Sequence, residues 1–223
     1  KPQCDCNSYE WGTLYQTGLW SLGSGDYTFF ESGTCRAAAD RAILELDNRG
    51  YSSCNGDFFT LHYFPETLFR QAAEFYRDGR YEWALRKHFS NTLEAPEHKG
   101  AADLVRGIEP QEPVDLLGIR VAPMSPDFYR AHETTMPSEP APNLPIERCF
   151  DKISFRRSFD PEDHYLLLDG IGKGSHGHVD VNGVSQFTAH SRLWLMDVSY
   201  AEAPNMRDHN VVTVIRNGET VKP

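Results

Sequence analysis

The distribution of proline divides this chain into two parts with different secondary structure. Residues 96–145 contain nine of the fourteen prolines in a chain of 223 residues. Each proline removes a backbone donor and fixes φ, so this density prevents long helices and central strands. We therefore predict a Pro-rich connector over 96–147, in which 114–121 could still form one short strand.

Upstream of the connector, apolar residues recur with a helical period. This spacing predicts four helices, over 9–22, 37–46, 66–76 and 81–89. Glycine-containing turns follow two of these segments, which is typical of helix ends. The sequence thus predicts an α-helical domain over 1–95.

Downstream of the connector, the apolar period changes to two. This alternation predicts strands over 153–156, 165–168, 185–189, 193–196 and 211–215. We predict an antiparallel β-sheet domain over 148–223. Helices followed by strands give an α+β multidomain fold class.

Composition excludes several classes of protein. The chain has 22 Lys and Arg against 32 Asp and Glu, a net charge of −10, which argues against a nucleic-acid binder. No apolar run of about 18 residues is present, so we predict no membrane span. The five cysteines are too few and too dispersed for a disulfide scaffold. Because the chain begins at Lys1 without a signal-peptide core, we expect a processed or partial chain.

The densest polar cluster is Gly172-Lys173-Gly174-Ser175-His176-Gly177-His178-Val179-Asp180, between two apolar segments. On an extended segment alternate side chains share one side, so His176 and His178 would face the same way. Two such imidazoles can share a metal, or one can bind the metal while the other transfers protons. A surface histidine pair beside a glycine-rich turn is the alternative.

Two further residues could complete a metal site. Asp197 follows the predicted strand 193–196, and His209 precedes the last predicted strand. Together with His178 they would supply two nitrogens and one oxygen, a common zinc set with one position left open. The alternatives are a turn cap for Asp197 and a surface position for His209.

This combination of motifs resembles the heparinase II/III-like polysaccharide lyases, a family that also contains alginate lyases. The resemblance covers about 150–215 and is carried by Asp151-Lys152-Ile153-Ser154-Phe155-Arg156, Tyr165-Leu166-Leu167-Leu168, His176-Gly177-His178-Val179-Asp180, Trp194-Leu195-Met196-Asp197 and His209-Asn210. It implies the C-terminal part of an α/α-toroid followed by an incomplete antiparallel β-sandwich. Further segments of the same polypeptide, or a homo-oligomer, would then complete the active unit.

The resemblance also implies a zinc site and a catalytic cleft. His178, Asp197 and His209 match the family's zinc ligands, and His176 matches a histidine of the cleft. The zinc implied is structural and lies near the active site. The family's His-Asn-Thr-like motif is His209-Asn210-Val211 here, so the threonine is missing while the ligand is kept.

In the helical part the resemblance points to Asn7 and Tyr63. The family uses an asparagine to neutralise the substrate carboxylate and a tyrosine to transfer protons. Ser8 stands where several members have histidine. Asn7 could instead cap a helix, Tyr63 could belong to the core or rim, and His62 is its neighbour and rival for the proton-transfer role.

Substrate contacts are predicted at His62, Trp11 and Lys173. The cleft could be made locally basic for an acidic polymer by Lys173, Arg156, Arg157 and Arg192, although solvated surface charge is the alternative for each. Trp11, like the other tryptophans of the helical part, is also explained by helix packing.

The function implied is β-elimination of a uronic-acid-containing polysaccharide by a secreted or periplasmic lyase. An amide would neutralise the carboxylate, and a tyrosine or histidine would transfer protons. Three alternatives remain open: a catalytically silent carbohydrate-binding relative, a zinc-dependent hydrolase in which the metal activates water, and a uronyl epimerase.

Overall fold

A computed structural model describes residues 7–53, 64–91, 107–124, 145–170, 183–197, 209–211 and 215–220. Helices within these ranges are α1 (Asn7–Ser24), α2 (Thr28–Glu31), α3 (Thr34–Glu45), α4 (Glu66–Tyr76) and α5 (Gly79–Asn91). Strands are β1 (Gly118–Pro123), β2 (Phe150–Arg156), β3 (Tyr165–Asp169), β4 (Gly183–Ala189), β5 (Arg192–Met196), β6 (Ile215–Arg216) and β7 (Glu219–Thr220). None of the helices described is both long and apolar enough to cross a membrane.

The helices pack through one shared apolar core. On α4 the buried positions include Leu68, Phe69 and Ala72, which recur at the spacing of one helix face. The predicted helix over 66–76 coincides with α4, and it ends where Arg77 adopts a left-handed conformation with φ of 52°. Periodicity did not indicate α2, because four residues are too few to show a helical period.

The main sheet is antiparallel throughout, with the strand order β1-β2-β3-β4-β5. Its edge strand β1 comes from the predicted connector, where 118–122 form a proline-free run. The predicted strand over 114–121 begins late, because 114–116 form a 3-10 turn. Gly118 then enters the strand with φ of 84°.

A second, two-stranded sheet is formed by β6 and β7. Asn217 and Gly218 connect these strands with φ of 54° and 83°, the left-handed pair that tight hairpins favour. The last predicted strand, over 211–215, meets β6 at Ile215, while 212–214 lie outside the described residues.

The main sheet is joined to the helices at the C-terminal end of α3. The Arg156 guanidinium donates hydrogen bonds to the carbonyls of Leu44 and Leu46, at 2.9 and 2.6 Å. The Tyr165 hydroxyl donates to the Leu44 carbonyl at 3.0 Å. Carbonyls at a helix end have no partner within the helix, so side chains of the sheet satisfy them here.

The loop after α3 is also fixed on both sides. The Asn48 side-chain amide donates to the Asp160 carbonyl at 3.1 Å, in the connection before β3. On the other side, Gly50 lies against α5 with φ of 89°. A Cβ atom there would lie 2.9 Å from the Lys87 carbonyl oxygen and 3.0 Å from the His88 nitrogen, so only glycine fits.

Candidate functional site

The candidate site lies where β4 and β5 meet the segment 209–211. Backbone hydrogen bonds run from Asp197 to the Ser185 carbonyl at 2.8 Å, and from Val184 to the Asn210 carbonyl at 2.9 Å. The Asn210 side chain donates to the Met196 carbonyl at 3.0 Å. These bonds hold the segment against the ends of both strands, so residues twelve apart in sequence become neighbours.

Asp197 and His209 form a buried pair at this place. The Asp197 Oδ1 and His209 Nδ1 atoms are 2.8 Å apart, and both side chains are almost fully shielded from solvent. An ionised carboxylate can only accept a hydrogen bond, so Nδ1 carries the proton. In a neutral ring, the lone pair then resides on Nε2.

Aspartate and histidine suit a zinc site in two ways. In the first, Asp197 orients the buried imidazole ring of His209, and the Nε2 atom of His209 binds the ion, an arrangement common at zinc sites in proteins. Alternatively both residues bind, in which case Nδ1 loses its proton. The two atoms must then move apart to about 3.3 Å, the separation that tetrahedral bonds of about 2.0 Å require. The donor chemistry therefore fits the predicted metal.

The third predicted ligand, His178, lies outside the described residues. Within the part of the chain that the structure describes, no group of three or more His, Cys, Asp or Glu residues is placed to hold a metal. The zinc site stays a prediction, and its structural support is the Asp197–His209 pair.

Most of the other predicted site residues also lie outside the described ranges, namely His62, Tyr63, Lys173 and His176. Asn7 is the first residue of α1, but its side chain is not described.

The chain is well anchored just after Tyr63. The Phe64 ring stacks on the His88 ring of α5, with centroids 3.9 Å apart and planes within 2°. The His88 Nδ1 atom in turn lies 2.7 Å from the Gly50 carbonyl oxygen. Position 64 is therefore fixed against both α5 and the loop that follows α3.

Trp11 does not fit its predicted role as a substrate contact. Its side chain is only 1% exposed and belongs to the helical core. The Arg41 guanidinium lies over its ring, 5.7 Å from the centroid. A polysaccharide cannot reach this ring, and the helix-packing interpretation is the one that the burial supports.

Arg156 likewise is not a surface cation of the cleft. It is buried between the rings of Phe159 and Tyr165, at 4.5 and 4.3 Å from their centroids. Burial lowers the pKa of its guanidinium to about 10. Its hydrogen bonds to α3 make it a structural link between helices and sheet.

Comparison with known family models, curated proteins and solved structures finds no match to this chain. The resemblance to heparinase II/III-like lyases thus depends on the sequence motifs and remains a prediction.

Proposed function

We propose that this chain belongs to a polysaccharide lyase that cleaves a uronic-acid-containing polymer by β-elimination. The observation that carries the proposal is the buried Asp197–His209 pair. Its two residues come from separate motifs of the resemblance, and they meet at 2.8 Å beside the ends of two strands. A chance similarity of separate motifs would not require this contact.

The proposed reaction starts at the carbon next to the substrate carboxylate. Tyr63 removes its proton, and the electron pair forms a double bond as the glycosidic oxygen leaves and receives a proton. Asn7 donates hydrogen bonds to the carboxylate, where negative charge accumulates in the transition state. His176 is the second candidate base, for substrates of the opposite configuration.

Zinc has a supporting role in this proposal. His178, Asp197 and His209 would hold it, and when bound it would supply a fixed positive charge that orders the sheet edge near His176. The chain's own residues carry out the proton transfers. This division separates the proposal from the hydrolase alternative, in which the metal activates a water molecule.

We further propose that a second sheet covers the main sheet, as in a β-sandwich. The supporting observation is the side of the sheet opposite Arg156, which we call the outer face. It carries apolar side chains from all five strands, each half-buried or exposed: Ile119, Val121, Ile153, Phe155, Leu166, Leu168, Val184, Phe187 and Leu195. An apolar sheet face of this extent normally packs against another layer.

Exposed apolar residues on α1 support the proposal that the helices belong to a larger α/α-toroid. Leu19, Trp20 and Leu22 are exposed, and Trp20 has 62% of its surface accessible. In a toroid each helix packs against neighbours on both sides, so these residues would contact a further helix. Extra helical and strand layers would extend the fold that the described residues form.

The proposed function is tested by ultraviolet absorbance with a panel of uronic-acid polysaccharides. Elimination creates an unsaturated uronate that absorbs ultraviolet light. Because Tyr63 is the proposed base, we expect Tyr63→Phe to reduce kcat by about 100-fold or more. The matched control is Tyr27→Phe, since Tyr27 is an exposed tyrosine of the helical part.

Other outcomes identify the alternatives. New reducing ends without absorbance would indicate a hydrolase, and proton exchange without cleavage would indicate an epimerase. Binding without any product would indicate a silent relative. Equal activity of Tyr63→Phe and Tyr27→Phe would contradict the role given to Tyr63.

A further inference from the structure

Six charged side chains form a buried cluster where α1 and α3 meet β2 and β3. Its members come from all four elements and are Glu10, Arg41, Glu45, Asp151, Lys152 and Asp169. Five of them are at most 6% exposed, and the Arg41 side chain is 11% exposed. We call this set the ionic cluster.

Arg41 is the link between the helices and the sheet in this cluster. Its guanidinium is paired with Glu10 of α1 and lies 3.0 Å from Glu45 and 2.9 Å from Asp151. Lys152 extends the contacts along the sheet, at 3.0 Å from Asp151 and 2.9 Å from Asp169. Through Arg41, the first turn of α1 is bound to β2.

Carboxyl groups outnumber cations among the described residues of this cluster. Within the described ranges, four carboxyl groups of the cluster face two cations, Arg41 and Lys152. Ionisation is costly for a carboxyl group that is buried and incompletely hydrogen-bonded, and such a group tends to keep its proton. The ionic cluster is therefore expected to hold a proton at a pH where exposed carboxyls have lost theirs.

Position and surroundings assign this proton to Glu10. Its Oε2 atom has no hydrogen-bond partner among the described residues, while Oε1 is paired with Arg41. Burial raises the pKa of Glu10 to about 8; Arg41 opposes this rise, and the charges of Asp151 and Glu45 add to it. The positive charge of Lys152 lowers the pKa of Glu10 slightly, as Arg41 does.

We propose that the ionic cluster is a pH-sensitive latch between α1 and the sheet. While Glu10 is protonated, its contact with Arg41 keeps the first turn of α1 against α3 and β2. When Glu10 ionises, the cost of keeping its charge buried, together with repulsion from Asp151 and Glu45, exceeds the attraction of Arg41 and loosens that turn. The latch is closed at low pH and opens as the pH rises through the Glu10 transition.

The latch would also affect the proposed reaction. α1 begins at Asn7, one turn before Glu10, so an open latch would displace the residue assigned to the substrate carboxylate. This consequence alone rests on the proposed function. The latch itself rests on contacts among described residues.

Hydrogen–deuterium exchange of the intact chain between pH 6 and pH 9 tests the latch without any substrate. After correction for intrinsic exchange rates, we expect protection of the start of α1 to fall about ten-fold relative to α4. Glu10→Gln, which cannot ionise, should abolish this fall. The control is Glu66→Gln, a 39% exposed glutamate paired with Arg70, which should behave as the wild type.

An equal fall in Glu10→Gln, or no fall in the wild type, would overturn the proposal. Should Glu10→Gln fail to fold, infrared titration of the wild-type carboxyl groups decides the question. A buried carboxyl that loses its proton above pH 6 supports the latch. Complete ionisation below pH 6 overturns it. Both measurements are independent of lyase activity, so their failure is distinct from failure of the proposed function.

Discussion

Replacement of Arg156 by methionine should destabilise the protein by about 3 kcal/mol. Two charge-assisted hydrogen bonds to the end of α3 are lost, at ~1.5–3 kcal/mol each. The contacts with the Phe159 and Tyr165 rings add ~1–2 kcal/mol. Methionine keeps most of the apolar stem, so loss of packing contributes little.

An opposing contribution comes from the cost of burying the guanidinium. Its pKa is lowered from 12.5 to about 10, and each pKa unit corresponds to ~1.4 kcal/mol, so the charged form is disfavoured in the folded chain by about 3 kcal/mol. Methionine removes that cost. The lost contacts exceed the relieved cost by about 3 kcal/mol, because the buried Leu46 carbonyl loses its side-chain donor and the Leu44 carbonyl keeps only the Tyr165 hydroxyl.

Urea denaturation at pH 7, followed by circular dichroism, measures this difference. Arg157→Met is the matched control, because Arg157 is the next residue and its side chain is 85% exposed and paired with Asp163. We expect the control to lose less than about 1 kcal/mol. Equal losses for the two variants would refute the view that Arg156 joins the sheet to α3.

The remaining predictions concern one backbone position and the proposed metal. Gly50→Ala should lower the free energy of unfolding by about 3 kcal/mol, since a Cβ atom would meet the backbone of α5. The control Gly33→Ala should lower it by about 1 kcal/mol, because Gly33 has φ of 81° but open space around it. Equal losses of the two variants in urea denaturation would contradict this reasoning. Asp197→Ala should weaken zinc binding, measured by calorimetry, at least about 10-fold. The control His190→Ala should leave zinc affinity unchanged, because the His190 side chain is exposed. Unchanged zinc affinity in Asp197→Ala would exclude Asp197 from the site.

Much of the local structure could be predicted from apolar periodicity. Four helices and the main-sheet strands β2 to β5 were indicated by spacing alone, because each element buries one face and exposes the other. The predicted proline-rich connector contributes β1, which overlaps the short strand that 114–121 could form. Edge strands need partners on only one side, so a short proline-free run is enough to form one.

The candidate site shows what periodicity cannot provide. Asp197 and His209 were chosen as separate ligands, and their contact depends on how the segment 209–211 is bound to β4 and β5. For Trp11, tertiary structure instead removes a predicted site residue. Its residue type suits both a sugar platform and a core, and only its burial decides between them.

The sequence by itself determined the order of helices and strands, the acidic balance and the motifs that suggest a lyase. The tertiary structure decided which charged residues are buried. From Lys152 to Arg156, strand β2 alternates polar and apolar residues, a pattern that normally directs the polar side chains to solvent. Here Lys152 and Arg156 point inward, because carboxylates of the ionic cluster and carbonyls of α3 satisfy them there. Asp169 and the carbonyls of α3 are distant in sequence from these two residues, so only the folded chain brings them together.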